Sequence, residues 1–115
     1  MRQVIFYRNE NGKAPVETFF NTLSDKQVEK LLWVLRIIKG LERIPKQYFK
    51  KLTNSDDIWE VRIRYGNKNF RLLGFFYKSN LIILTNAFVK KSQKTPRKEI
   101  KLAVERKREY IKRNK

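Results

Sequence analysis

Residues 58–94 read IWEVRIRYGNKNFRLLGFFYKSNLIILTNAFVKKSQK. Three apolar segments, roughly Asp57–Arg64, Asn69–Lys78 and Leu81–Val89, are separated by two very short polar breaks. β-Branched and aromatic residues crowd each segment, which marks them as strands. Gly66-Asn67 reads as a two-residue hairpin loop, with glycine supplying the positive φ of a type II′ turn. That loop sets Tyr65 opposite Lys68, Ile63 opposite Phe70 and Arg62 opposite Arg71. Strand side chains alternate, so Trp59, Val61, Ile63 and Tyr65 form an apolar face toward the core. Glu60, Arg62 and Arg64 occupy the other face.

A second turn at Ser79-Asn80 pairs Gly74 with Thr85, Leu73 with Asn86 and Arg71 with Phe88. Three rows then cross the charged face: Glu60, Leu73 and Asn86; Arg62, Arg71 and Phe88; Arg64, Asn69 and Lys90. Two arginines directly opposite each other repel. The pair makes sense if an anion sits between them, or if Glu60 screens them in the empty state. The plain alternative is two solvated arginines on an exposed face, which contribute little. The reading depends on register, because a slip of one residue would reverse the faces.

Outward from this core, Gln3–Tyr7 is a short strand and Arg8–Ala14 a loop with an Asn11-Gly12 turn. Pro15 suits the first turn of a helix running to about Leu23. Ser24 and Gln27 make a capping-box pattern for a second helix. Val28, Leu31, Leu32, Leu35 and Ile38 recur along it at helical spacing, widened by Val34, Ile37 and Leu41. Gly40–Pro45 ends that helix, and Tyr48–Leu52 is expected to be irregular or a single turn. Thr95 as cap and Pro96 as first residue open a last helix with a weak stripe of Ile100, Ala103, Val104 and Ile111. The expected fold class is α+β, in the order β-α-α-β-β-β-α. It is a small antiparallel-type sheet with an N-terminal helical hairpin and a C-terminal helix, spanning residues 1–115 as a single domain.

Composition narrows the chemistry. The 115 residues include 41% apolar side chains and 13% aromatic ones, ample for one modest core. The absence of cysteine and histidine excludes disulfides, zinc sites of the usual kinds, and Ser-His or Cys-His nucleophile pairs. No apolar run is long enough for a signal sequence or a membrane span, so a cytoplasmic location is expected. Net charge is +17, from 28 Lys/Arg against 11 Asp/Glu. Residues 1–34 are nearly balanced, whereas residues 90–115 hold 12 basic and 3 acidic groups. That gradient points to a polyanionic partner, nucleic acid first, with solvated lysines on the last helix as the plain alternative.

Asp56, Asp57 and Glu60 are the only acids near the sheet, a poor set for magnesium, and Asp56-Asp57 reads as a turn. No metal or cofactor is expected. RNA carries its own nucleophile, the 2′-hydroxyl. An enzyme need only align it, help remove its proton, stabilise the phosphorane and protonate the leaving 5′-oxygen. The forks of Arg62 and Arg71 suit two phosphate oxygens. Lys90, Lys91 or Lys94, depressed in pKa by like charge, could serve as base or acid, with Glu60 as an alternative base. Phe88 could stack on a splayed base or simply pack.

From Trp59 onward the chain resembles the phage-derived HigB-like toxins of the RelE/ParE superfamily. The matching residues are Trp59-Glu60-Val61-Arg62-Ile63, Phe70-Arg71-Leu72, and Ala87-Phe88-Val89-Lys90-Lys91-Ser92-Gln93-Lys94-Thr95-Pro96, then a helix with Glu99-Ile100 and Ala103. An early strand and helical hairpin also match, so the likeness covers nearly the whole chain. It implies a RelE-like fold and the toxin of a type II toxin–antitoxin pair, a ribosome-dependent endoribonuclease that cleaves messenger RNA and halts translation. Arg62, Arg71, Lys90, Lys91 and Glu60 are then the catalytic candidates. Arg64, Phe88, Lys94 and Lys98 are the RNA-binding ones. The superfamily often uses a different set of arginines, lysines and a tyrosine. Tyr110 has no clear counterpart and reads as packing.

The implied partners are the ribosome, its mRNA and a helix-turn-helix-type antitoxin held in a hetero-oligomeric complex; a +17 toxin would attract an acidic antitoxin surface. Two other readings stand beside the endoribonuclease: a non-catalytic gyrase inhibitor resembling the ParE branch, and a plain nucleic-acid-binding module. The cluster of Arg62, Arg71 and Lys90–Lys94 favours cleavage.

Overall fold

The computed structural model describes residues 1–115. In chain order the elements are β1 (Gln3–Phe6), α1 (Pro15–Phe20), α2 (Asp25–Gly40), β2 (Phe49–Lys51), β3 (Trp59–Tyr65), β4 (Lys68–Tyr77), β5 (Leu81–Lys90) and α3 (Arg97–Arg113). The strands form one sheet in the order β1-β5-β4-β3-β2. The architecture is α+β, as expected, but the sheet is mixed: β1 runs parallel to β5 while the other neighbours are antiparallel. The other correction is β2, in a segment expected to be irregular or a single turn. Three residues are too few to show alternation. Phe49 is nonetheless buried and stacks on Trp59, with centroids 4.7 Å apart. No helix is long and apolar enough to cross a membrane.

One face of the sheet carries α1 and α2. Ser24 Oγ accepts from the Gln27 N–H at 3.2 Å and Gln27 Oε1 accepts from the Ser24 N–H at 2.9 Å, the reciprocal bonds of a capping box. From that start α2 buries Leu31, Val34, Leu35 and Ile38 against Val61, Ile63, Phe70, Leu72, Ile82 and Leu84. Burying a side chain of this size contributes about 1.5–3 kcal/mol. Leu32 and Leu41, counted in the apolar stripe from spacing, are exposed; they sit at its margins, beyond the sheet's reach. Helix α1 ends at Phe20 rather than Leu23. Thr22 bonds its hydroxyl to the Phe19 carbonyl at 2.7 Å, a local bond that competes with helix continuation.

The opposite face was expected to be charged, yet α3 covers part of it. Ala103, with Ile100, Val104, Tyr110 and Ile111, packs on Ile58, Leu73, Phe75 and Ile83 as a second core. Tyr110 is a packing residue, its ring meeting Phe75 and Tyr77 at 5.8 and 5.1 Å. The start of α3 also differs from expectation. Pro96 is the N-cap, without a side-chain cap bond, and Arg97 the first helical residue. Thr95 does not cap the helix; its hydroxyl bonds the Glu60 carboxylate.

Register on β3 and β4 follows the sequence reading: Tyr65 faces Lys68, Ile63 faces Phe70 and Arg62 faces Arg71. Gly66 has φ +62° at the turn. On β4 and β5, Leu73 faces Asn86 and Arg71 faces Phe88 as expected, but Gly74 faces Leu84 rather than Thr85. Two departures compensate. Tyr77 pairs with Leu81 across a three-residue loop in which Lys78 takes φ +61°, and a bulge at Leu73/Gly74 then restores the register. Gly74 is required there, because a Cβ would stand 2.4 Å from the Ile83 carbonyl oxygen.

The bulge leaves Thr85 as the extra residue, fully buried. Its carbonyl accepts from a guanidinium nitrogen of Arg106 at 2.8 Å. Burial of that guanidinium holds Arg106 below the usual arginine pKa. Arg106→Ala would orphan a buried carbonyl, so the denaturant midpoint should fall by the equivalent of about 1–3 kcal/mol.

Candidate active site

Beyond the reach of α3, the second face opens over the ends of β3, β4 and β5. Its floor is the cross-strand pair Arg62 and Arg71. Beneath them lies Glu60, fully buried. Arg62 donates its Nε to Glu60 Oε1 at 2.9 Å. The Arg71 Nε stands 3.5 Å from the same oxygen, an ionic contact too long for a good hydrogen bond, and this buried nitrogen has no hydrogen-bond partner. Another Arg71 nitrogen donates to the Phe70 carbonyl at 3.1 Å. The other Glu60 oxygen accepts from the Thr95 hydroxyl. One carboxylate thus holds two facing arginines in place and ties them to the segment that leads into α3.

The arginines differ in setting. The Arg62 side chain is 31% exposed and that of Arg71 only 12%. Burial lowers the Arg71 pKa, Glu60 opposes the shift and Arg62 adds to it. Lys90 is also held below the ordinary lysine value, first by burial, then by the charge of Arg71, with Glu60 opposing and Arg62 and Lys50 contributing. Loss of a proton from Lys90 relieves repulsion within this cluster.

Two grooves meet over Arg71 and Asn69. One runs along Lys68, Lys90, Lys91 and Gln93. The other runs past Arg62, Arg64, Tyr48 and Lys30. No carboxylate lines either groove, so an anion entering them meets no opposing charge.

Of the residues singled out from sequence, Arg62, Arg64, Arg71, Lys90 and Lys91 are brought together here. Lys94 and Lys98 are exposed and line neither groove. Phe88 is half-buried and packs on the α3 core rather than into a groove. Glu60 is sealed from solvent, which leaves it holding the arginines instead of touching a substrate. Sequence reasoning missed Tyr48, Lys30, Lys68 and Gln93. Nothing in a local pattern would have flagged Lys30, which reaches the groove only because α2 lies beside the exposed end of β3.

A family model described as phage derived protein Gp49-like (DUF891) matches residues 18–108. The chain belongs to that family. The match runs from α1 into α3 and takes in every cation of the two grooves. The Gp49-like family is a RelE/HigB-like toxin family. Among curated proteins no match is found.

Proposed function

We infer that this Gp49-like protein is a HigB-like toxin of a type II toxin–antitoxin pair, one toxin domain that cleaves mRNA on the ribosome. The observation that carries the reading is the Arg62–Arg71 pair, fixed on one buried carboxylate beside a lysine of lowered pKa. Two guanidiniums so held supply forked donors to the oxygens of a phosphodiester without reorganising when charge develops. Neutral Lys90 takes the proton of the 2′-hydroxyl. The 2′-oxygen bonds to phosphorus, the bond from phosphorus to the 5′-oxygen breaks, and Lys91 gives a proton to that leaving oxygen. A 2′,3′-cyclic phosphate and a 5′-hydroxyl result. A helix-turn-helix antitoxin with an acidic surface fits the +17 charge.

Translation of a defined message with purified components tests the reading. Cleavage of ribosome-bound message but not of free message is the expected result. Intact message, with purified gyrase inhibited in a parallel supercoiling assay, would instead support gyrase inhibition, and salt-sensitive binding without cleavage a plain nucleic-acid-binding role.

The lowered pKa of Lys90 gives a second test. A lysine base acts only when deprotonated, so the single-turnover rate should climb with pH and level off below the ordinary lysine value of about 10.4. Lys90→Arg stays protonated and should lose both the climb and most of the rate. A variant that keeps the wild-type profile removes Lys90 from the chemistry.

A further inference from the structure

The second groove continues past the sheet. Strand β2 pairs with β3 only from Trp59 to Val61, so Ile63–Tyr65 form an edge that β2 leaves uncovered. Tyr48 closes the corner, its carbonyl accepting from the Arg62 N–H at 2.8 Å. On the far side of that corner stands Lys30 of α2, which lines both this groove and a neighbouring depression holding Trp33, Arg36 and Tyr65. The rings are arranged together: Trp33 meets Tyr48 edge-on at 5.8 Å, and the Lys30 ammonium lies 4.6 Å from the Trp33 centroid. Trp33 is 42% exposed and Tyr65 37%.

Helix α2 meets its core needs with Leu31, Val34, Leu35 and Ile38. Trp33 lies outside that buried set. Lys26, Lys30 and Arg36 surround it, against a single acid, Glu29. Exposed aromatic faces interleaved with cations suit single-stranded nucleic acid, whose bases stack while its phosphates are neutralised. A purely apolar protein partner would gain nothing from that charge. We propose that Trp33, Tyr48 and Tyr65, flanked by Lys30 and Arg36, form a base-stacking subsite for single-stranded RNA that continues the Arg62–Arg71 groove around the edge of β3. This rests on the reading of that groove as the ribose–phosphate site. The subsite takes nucleotides flanking the scissile linkage, outside the span that Arg62 and Arg71 cover.

The test uses the full chain with uncleavable 2′-O-methyl RNA in two lengths, a trinucleotide and a decanucleotide. In a Trp59→Phe background the remaining indole reports on Trp33 alone. The decanucleotide should quench its fluorescence and the trinucleotide should not. Trp33→Ala, and separately Arg36→Ala, should weaken the decanucleotide roughly tenfold and leave the trinucleotide unchanged. The double variant Arg62→Ala, Arg71→Ala should weaken both. Wild-type decanucleotide affinity in a folded Trp33→Ala variant would overturn the subsite and leave the patch to a protein partner. If the arginine double variant instead binds both oligonucleotides as wild type does, the phosphate site itself fails, and the subsite with it.

Discussion

Arg71→Ala should lower cleavage of ribosome-bound message by at least ~10²–10³-fold, the usual loss when one preorganised donor to a developing oxyanion is removed. On the proposed reading Arg71 takes the larger share of that duty. It lines both grooves, faces Arg62 across the ladder and is the more buried of the two. Its Nε is held against Glu60 and one terminal nitrogen donates to the Phe70 carbonyl, while the residue lines both grooves. Arg71→Lys keeps the charge but loses the planar fork, so it should recover only a small part of the rate. The Arg71 side chain is only 12% exposed, so alanine here also removes packing. The denaturant midpoint must be measured beside the rate: a loss of cleavage in a cooperatively folded variant supports the assignment, and full activity would remove it.

Glu60→Ala should be the most destabilising single change in the site. Removing one member of a buried ionic cluster costs about 3–5 kcal/mol when the remaining charge is trapped. Arg62 is partly exposed and can turn toward water, which puts the expected loss near 2–4 kcal/mol. Glu60→Gln keeps one acceptor oxygen for Arg62, turns the position facing the Thr95 hydroxyl into a donor and loses the charge, so it should cost less than alanine, about 1–2 kcal/mol. Thermal or denaturant unfolding of the three proteins measures this order directly. An alanine variant as stable as wild type would mean that the carboxylate does not hold the arginines. Activity should fall in both variants with the guanidiniums misplaced, since Glu60 is too buried to meet RNA.

The cross-strand pairing of Arg62 and Arg71 was legible because Gly66-Asn67 admits one tight turn and the alternation of β3 admits one register. The pairing of β4 with β5 was read correctly at Arg71 through two errors that cancelled, a turn one residue too short and an unseen bulge. A bulge leaves little mark on hydropathy; Gly74 within an apolar strand was its one hint. Strand β2 was hidden by its length, and the parallel placement of β1 by the lack of any local signal for sheet order. The burial of Glu60 was not legible at all. A glutamate alternating with arginines reads as solvent-facing, and only the packing of α3, with Thr95 turned inward, encloses it. The same event explains why Lys94 and Lys98, adjacent in sequence to Lys90 and Lys91, line neither groove.

The chemistry of the cut ends tests the central claim most directly. Message bound to ribosomes and exposed to the wild-type protein should yield upstream fragments ending in a 2′,3′-cyclic phosphate and downstream fragments beginning with a 5′-hydroxyl. A folded Arg71→Ala variant should yield neither. Fragments with 5′-phosphate ends, or unchanged cutting by the variant, would show that the arginine pair does not hold the phosphate that the neighbouring 2′-oxygen attacks.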